Sequence, residues 1–198
     1  MVYIIIGTVL IGILAGRFII PEFFAPALEL VVTYALALMI FGVGIDIGRS
    51  RNALSSLKKL GWRVLLVPLA VAGGSLIGAA SATFVLEMSL KEVLAVGAGL
   101  GWYSLSGVLI AQMYSVELGT IAFLSNVFRE LLAFILIPIL VGCVGKLAAI
   151  APGGATTMDS TLPLIKKVTD PQTALIAFTS GFVLTAFIPF LIPVLLAL

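Results

Sequence analysis

The stretch LGTIAFLSNVFRELLAFILIPILVGCV, residues 118–144, decides the class of fold. It is a long apolar run whose strongly polar members are Asn126, Arg129 and Glu130. A run of this length predicts a membrane-spanning helix, which needs roughly 20 apolar residues. Ionisable side chains are costly at bilayer depth, so Arg129 and Glu130 are expected to face a protein interior or a water-filled path. On a helix, Asn126 and Glu130 share a face because they are four positions apart, whereas Arg129 points about 100° away.

The sequence allows two interpretations of Glu130. It is either a carboxylate that takes up and releases a cation or a proton, or one half of a structural ion pair between helices. Because Arg129 lies on a different face, the two neighbours need not pair with each other.

The composition extends the membrane assignment to the whole chain. Of its 198 residues, 62% are hydrophobic and 10% are charged, whereas a soluble domain carries about 25% charged residues. We expect an all-α polytopic membrane protein with one transmembrane transporter domain, 1–198. The net charge of +2 gives no reason to expect a nucleic-acid partner. The lack of histidine and the single cysteine, Cys143, argue against a His-based metal site and an internal disulfide, and we expect neither a metal nor a cofactor.

About seven apolar segments are long enough to be candidate crossings of a bilayer. They are residues 3–20, 28–47, 62–86, 92–113, 118–144, 147–165 and 171–197. The loop between the second and third segments is basic, so the positive-inside rule places it in the cytoplasm. Its basic residues are Arg49, Arg51, Lys58, Lys59 and Arg63. If every segment crosses, the N-terminus is inside, the C-terminus is outside, and Lys166 and Lys167 are inside. A re-entrant sixth segment would put those two lysines outside, so we favour the crossing arrangement.

The sixth segment predicts an interrupted helix near 147–165. Its middle contains Pro152, Gly153, Gly154 and Pro163, which disfavour continuous helix. Non-helical backbone at membrane depth is tolerated inside protein or beside a cavity, and such a break indicates a transporter binding site. The hydroxyl groups available there belong to Thr156, Thr157, Ser160 and Thr161, and Asp159 adds a carboxylate. The alternative is a loop that binds no ligand.

The fourth segment contains VGAGLGWYSLSG, residues 96–107. Its small residues are typical of close helix packing in membranes. Trp102, Tyr103 and Ser104 follow directly, either as interfacial anchors or as part of a cavity wall. Their position in the middle of the segment favours the cavity wall.

Three motifs resemble those of the lysine exporter LysO family, in the same order and at similar spacing. They are GWYSLSG (101–107), FREL followed by LIP (128–138) and GGATTMDSTLP (153–163). The basic loop after GVGID (42–46) also fits, and the resemblance covers essentially the whole chain. It implies export of L-lysine and its toxic analogues across the cytoplasmic membrane, coupled to movement of H⁺ or Na⁺. It also implies that Glu130 is the acidic residue needed for export.

The resemblance implies an architecture as well. Related cation–proton antiporter-like transporters consist of two inverted five-helix repeats, with an interrupted helix in each, and the interruptions cross at the substrate site. Residues 62–197 would form one complete repeat and 1–47 the tail of another, with GILAGRF (12–18) as the crossing partner of the sixth segment. Longer family members have roughly three more N-terminal helices. We therefore expect a homo-oligomer or a small membrane partner subunit that supplies them.

Other classes of function fit less well. A cation channel or a monovalent cation/proton antiporter explains the buried acid and the interrupted helix but not the family motifs. An intramembrane aspartyl protease would need a second motif around Asp46 and Asp159 that is absent, so we expect no enzyme. The candidate substrate- and ion-binding residues are Glu130, Asn126, Arg129, Asp159, Thr156, Thr157, Ser160, Gly153, Gly154, Trp102, Tyr103 and Ser104.

Overall fold

The structure, a computed structural model, describes most of residues 11–45 and all of residues 61–198. Within the first range, positions 13, 25, 26, 29, 32, 36, 39, 40, 43 and 44 lie outside the description. The chain divides into two units, Met1–Met39 and Ile40–Leu198. Wherever it is described, the backbone is helix, turn or loop, and no strand occurs there. The all-helical fold expected from the sequence is confirmed to this extent.

The first unit is helical around residues 14–18 and again from residue 27 onward at its described positions. A 3-10 turn, Glu22–Phe24, follows Pro21. Apolar side chains on the helical parts, such as Phe18, are exposed, as expected for a helix that faces lipid or another helix. The predicted segments 3–20 and 28–47 lie partly outside the described residues, as do Asp46 and most of the basic loop.

Within residues 61–198, the second unit has six α-helices joined by 3-10 turns. The α-helices are α1 Leu66–Ser81, α2 Leu90–Gly97, α3 Tyr103–Met113, α4 Val116–Cys143, α5 Leu162–Val168 and α6 Pro171–Leu196. The 3-10 turns are Trp62–Leu65, Ala82–Phe84, Ala148–Ile150 and Gly154–Met158.

Three helical stretches in the described part of the chain are long and apolar enough to cross a membrane. They are Trp62–Phe84, which contains α1, then α4 and α6, with 23, 28 and 26 residues. At about 1.5 Å per residue, each exceeds the hydrocarbon core of roughly 30 Å. The N-caps of α4 and α6 are Ser115 and Asp170, whose side chains accept hydrogen bonds from backbone N–H groups of the first turn.

The predicted fourth segment turns back on itself. The Tyr114 hydroxyl donates a hydrogen bond to Glu92 Oε1 at 2.9 Å, and the Lys91 ammonium lies 5.3 Å from the centre of the Tyr114 ring. Residues at the two ends of a segment that crossed a bilayer would be separated by roughly 30 Å and could not touch. We call residues 90–114 hairpin 1, with α2 and α3 as its legs and residues 98–102 as its tip.

The predicted sixth segment also turns back. Lys146 Nζ and Asp170 Oδ2, on either side of the segment, form an ion pair at 3.0 Å. In between, Ile165 on the returning leg shares a buried cluster with Ala149 and Ile150 on the entering leg. We call residues 147–169 hairpin 2, with its tip at residues 153–160.

This arrangement corrects the expectation of a crossing sixth segment and differs from the predicted seven crossings. Hydropathy measures how long an apolar segment is, but it cannot tell whether the segment continues or reverses. At the tip of hairpin 1, the reversal uses positive φ angles at Leu100 (48°) and Gly101 (98°). Because α4 separates the hairpins and runs from one end of the bundle to the other, they enter from opposite ends. Lys166 and Lys167 therefore lie at the same end as Lys146.

Candidate functional site

The tips of the two hairpins meet in the middle of the bundle. The Ala155 N–H donates a hydrogen bond to the Leu100 carbonyl at 2.8 Å. Gly154 has a φ of 58°, and a β-carbon there would collide with the Leu100 carbonyl and lie 3.2 Å from Arg129 Nη2. A β-carbon on Gly101 would lie 3.0 Å from the Gly153 carbonyl oxygen. The two backbones thus approach so closely that glycine is needed on both sides.

Asn126 on α4 supports the tip of hairpin 1. Its Oδ1 accepts a hydrogen bond from the Gly101 N–H at 2.7 Å, and its Nδ2 donates to the Val96 carbonyl at 3.2 Å. The side chain is 3% exposed. A buried backbone group needs a partner, and this amide supplies one where the helix is interrupted. Asn126 is therefore occupied with the backbone of hairpin 1.

Arg129 on α4 holds the entering leg of hairpin 2. Its Nε donates to the Pro152 carbonyl and its Nη2 to the Ala151 carbonyl, each at 3.1 Å. Its Nη1 donates to Ser75 Oγ on α1 at 2.6 Å. In the described ranges the ion pair is Lys146–Asp170, and Arg129 forms none. As the sequence indicated, Arg129 and Glu130 do not pair with each other.

Glu130, the next residue of α4, is directed toward Tyr103 of hairpin 1. It is 6% exposed. The Tyr103 hydroxyl interacts with the carboxyl groups of both Glu130 and Asp159, and Glu130 is within hydrogen-bonding reach. The structure thus places the buried Glu130 of α4 beside a phenol of hairpin 1, with the exposed Asp159 of hairpin 2 at longer range. A group of this kind can hold an ammonium group, a proton or a small cation.

The hydroxyl groups of hairpin 2 have mainly internal partners. Thr157 Oγ1 donates to the Ala177 carbonyl on α6 at 2.8 Å, and Thr156 Oγ1 donates to the Gly153 carbonyl at 2.9 Å. Both threonines are buried. Ser160 differs, because its Oγ is buried and has no hydrogen-bond partner in the described structure. The threonines stabilise the tip, whereas the Ser160 hydroxyl lies next to the exposed Asp159.

The aromatic residues of the fourth segment lie at the tip of hairpin 1. Tyr103 is half-buried and packs edge-to-face on Phe123, with ring centres 5.6 Å apart. Trp102 is also half-buried, and Ser104 is exposed. Of the three, Tyr103 is the one that the structure places against the acids.

Sequence reasoning missed a partner of the interrupted sixth segment. The tip of hairpin 1 contacts that segment. The expected partner GILAGRF (12–18), in the first unit, stays a prediction. Gly97, Gly99 and Gly101 were the available signal, but they were interpreted as helix packing. Ser75 was also missed, since a single serine in an apolar helix carries no distinctive pattern. No group of three His, Cys, Asp or Glu side chains that could hold a metal ion was found among the described residues.

A helical membrane bundle with a buried acid, Glu130, beside two interrupted segments is typical of membrane transport proteins. The family model for the lysine exporter LysO matches residues 6–196. The chain belongs to that family, and the family resemblance inferred from the motifs is confirmed.

Two relatives align with most of this chain, but with different shares of their own length. The chain is 37% identical over 163 residues to the lysine exporter LysO of Escherichia coli (strain K12), an alignment that covers 80% of this chain and 52% of the relative. It is 36% identical over 161 residues to a putative lysine exporter of Haemophilus influenzae, covering 80% of each chain. The chain thus spans about half the length of the E. coli relative. No solved structure matches the chain.

Proposed function

We propose that this protein is a secondary transporter that exports L-lysine and its analogues across the cytoplasmic membrane. Family membership and the names of the two relatives support the cargo. The observation that carries the proposal is the burial of Glu130 in α4 beside Tyr103 of hairpin 1. Lysine carries two ammonium groups at neutral pH. The buried Glu130 can bind one of them, and the exposed Asp159 can attract the other.

The same acids can couple export to an ion. A carboxylate that binds an ammonium group also binds a proton or Na⁺, and it cannot hold both strongly at once. Exchange of lysine for H⁺ or Na⁺ at Glu130 would therefore move the two cations in opposite directions. An acid kept from water by protein on both sides is the group on which such an exchange acts.

The hairpins supply the barriers in this proposal. Each enters from one end of the bundle, so separation of the tips from one side or the other would open the site to that side. Arg63, Lys146, Lys166 and Lys167 belong to one end, which the positive-inside rule assigns to the cytoplasm. The proposed orientation remains N-terminus inside and C-terminus outside, with hairpin 2 on the cytoplasmic side.

The antiporter-like inverted-repeat core also remains a proposal. Hairpin 1 lies between α1 and α4, and hairpin 2 lies between α4 and α6, in the opposite direction. Residues 62–197 would be the complete repeat and 1–47 part of a second one. A second copy of the chain or a small membrane subunit would then complete the scaffold.

The test is counterflow of labelled lysine in proteoliposomes with wild type, Glu130→Gln and Glu117→Gln. Glutamine keeps the size and hydrogen-bonding ability of glutamate but removes its charge. Glu130→Gln should abolish lysine flux at unchanged protein content. Glu117→Gln, at an exposed position in the first turn of α4, should retain it. Full flux in Glu130→Gln would refute the proposed role of this acid.

The same vesicles separate the alternatives. An exporter saturates with lysine and shows competition by analogues, whereas a cation channel shows neither. Imposed pH and Na⁺ gradients, applied one at a time, identify the coupling ion by which gradient accelerates lysine movement. A response to a gradient without any lysine flux would indicate a cation/proton antiporter instead.

A further inference from the structure

We infer that Arg129 is a positioning residue that, together with Ser75, joins the two hairpins, and that it does not bind the cargo. Its role in transport rests on the proposed function, but the connection itself does not. This role of Arg129 differs from the one predicted from the sequence, which placed Arg129 among the substrate- and ion-binding residues.

The connection is a continuous chain of hydrogen bonds that joins four elements, namely α4, hairpin 2, α1 and hairpin 1. The Arg129 guanidinium donates to the Ala151 and Pro152 carbonyls of hairpin 2 and to Ser75 Oγ of α1. Ser75 Oγ in turn lies 3.3 Å from the Gly97 carbonyl of hairpin 1, to which it donates. Arg129 and Ser75 thus connect the entering leg of hairpin 2 to the end of the first leg of hairpin 1.

The geometry fits arginine in particular. The planar guanidinium carries several N–H groups in a rigid fork, so it can reach neighbouring carbonyls and a hydroxyl at the same time. A lysine ammonium is a single point and cannot occupy the same three positions. Gly154 leaves room for the fork, because a β-carbon there would lie 3.2 Å from Nη2.

The charges separate the connection from the cargo site. Arg129 donates to neutral acceptors, and within the described residues it pairs with no carboxylate. Glu130, the next residue, is directed to the other side, toward Tyr103. A cationic cargo would be repelled by the guanidinium and attracted by the acids. One turn of α4 therefore carries a group that holds the hairpins and a group that holds the cargo.

Separation of the hairpins has to break this chain of bonds. A hydrogen bond to a charged group contributes about 1.5–3 kcal/mol, which corresponds to roughly a ten- to hundredfold change in an equilibrium constant. Loss of the Arg129–Ser75 bond should therefore increase the ratio of separated to joined hairpins by about that factor.

The first measurement determines the distance between the two hairpins in the absence of lysine. Spin labels at Ser104 and Pro163, one exposed position on each hairpin, report their separation by double electron–electron resonance in nanodiscs. Cys143 is replaced by serine in all samples. Ser75→Ala and Arg129→Lys should each add a population at longer distance, while wild type shows mainly the short one.

The matched control is Ser81→Ala. It removes a hydroxyl from the same helical stretch, but this hydroxyl donates to the Gly78 carbonyl one turn earlier. Its distance distribution should equal that of wild type. Unchanged distances in Ser75→Ala, or an equal change in Ser81→Ala, would overturn the inference. Ser75→Ala also keeps the test decisive should Arg129→Lys fail to fold.

The second measurement separates positioning from binding. As a positioning residue, Arg129 should behave like Ser75, so that both variants change the turnover of lysine more than its KM. A higher KM in Arg129→Lys with no effect in Ser75→Ala would show that Arg129 contacts the cargo. If the wild type moves no lysine, the proposed function fails, whereas the distance measurement still decides whether the hairpins are joined in this way.

Discussion

Replacing Gly154 with alanine probes the closest approach of the two hairpins. Gly154 combines a φ of 58° with a position where a β-carbon meets the Leu100 carbonyl. A single methyl group therefore imposes both backbone strain and a collision. The collision is with backbone rather than with a flexible side chain, so it can be relieved only if the tips move apart.

The expected loss of folding stability in Gly154→Ala has two parts. A left-handed conformation costs a non-glycine residue roughly 1–2 kcal/mol. Moving the tips apart weakens the Ala155 N–H to Leu100 carbonyl bond, which contributes about 0.5–1.5 kcal/mol. The sum is about 1.5–3.5 kcal/mol, equivalent to roughly 3–14 °C in melting temperature for a chain of this size.

The assay is thermal unfolding in detergent, followed by loss of helical circular dichroism, together with lysine flux in proteoliposomes. Two glycine controls separate the contributions. Gly145→Ala tests backbone strain alone, since its φ is 124° and nothing lies within 4 Å of the added carbon. Gly74→Ala, within α1, has open space around its added carbon and tests the methyl group alone.

We expect Gly154→Ala to lose the most stability and to transport less lysine, and Gly74→Ala to resemble wild type. A Gly154→Ala protein as stable as Gly74→Ala would show that the hairpin tips are not confined as the structure indicates. Normal stability with unchanged flux would refute the reasoning altogether.

Three more outcomes are expected. In a Cys143→Ser background, cysteines at Lys146 and Lys166 should react with an impermeant maleimide from the same side of the membrane, and a cysteine at Lys91 from the other. If the cysteines at positions 146 and 166 react from opposite sides of the membrane, the sixth segment crosses it. The Asp170 carboxylate accepts a hydrogen bond from the Thr173 N–H and pairs with Lys146, which lowers its pKa from 3.8 to about 2. Its stabilising contribution should be present above pH 3.8 and lost as the pH falls toward 2, so the stability difference between wild type and Asp170→Asn should shrink in acid. Light scattering corrected for detergent should give a mass above that of one chain, either for a homo-oligomer or for a complex with a small membrane protein. A monomer that transports lysine would contradict the expected need for additional helices.

Several features of the fold could be predicted from the sequence alone. Long apolar runs are a one-dimensional property, so the membrane class and the helices at 62–84, 116–143 and 171–196 follow from hydropathy. Helical periodicity also placed Arg129 on a different face from Asn126 and Glu130, which is confirmed. The clustered glycines and prolines predicted the interruption near 147–165, because these residues disfavour helix whatever surrounds them. The total number of crossings, the coupling ion and the roles of the site residues stay predictions.

The tertiary structure alone decided the course of the interrupted segments and what they meet. Crossing and reversing segments have the same length and hydropathy, and the difference lies in contacts such as Glu92 with Tyr114 and Lys146 with Asp170. These residues are more than twenty positions apart, and no local propensity encodes their distance. The meeting of Leu100 with Ala155 is likewise a contact between remote parts of the chain. Sequence patterns reflect the conformational preference of each segment by itself. The site, in contrast, forms where the backbone of one segment hydrogen-bonds to the backbone of another, as Ala155 does to Leu100.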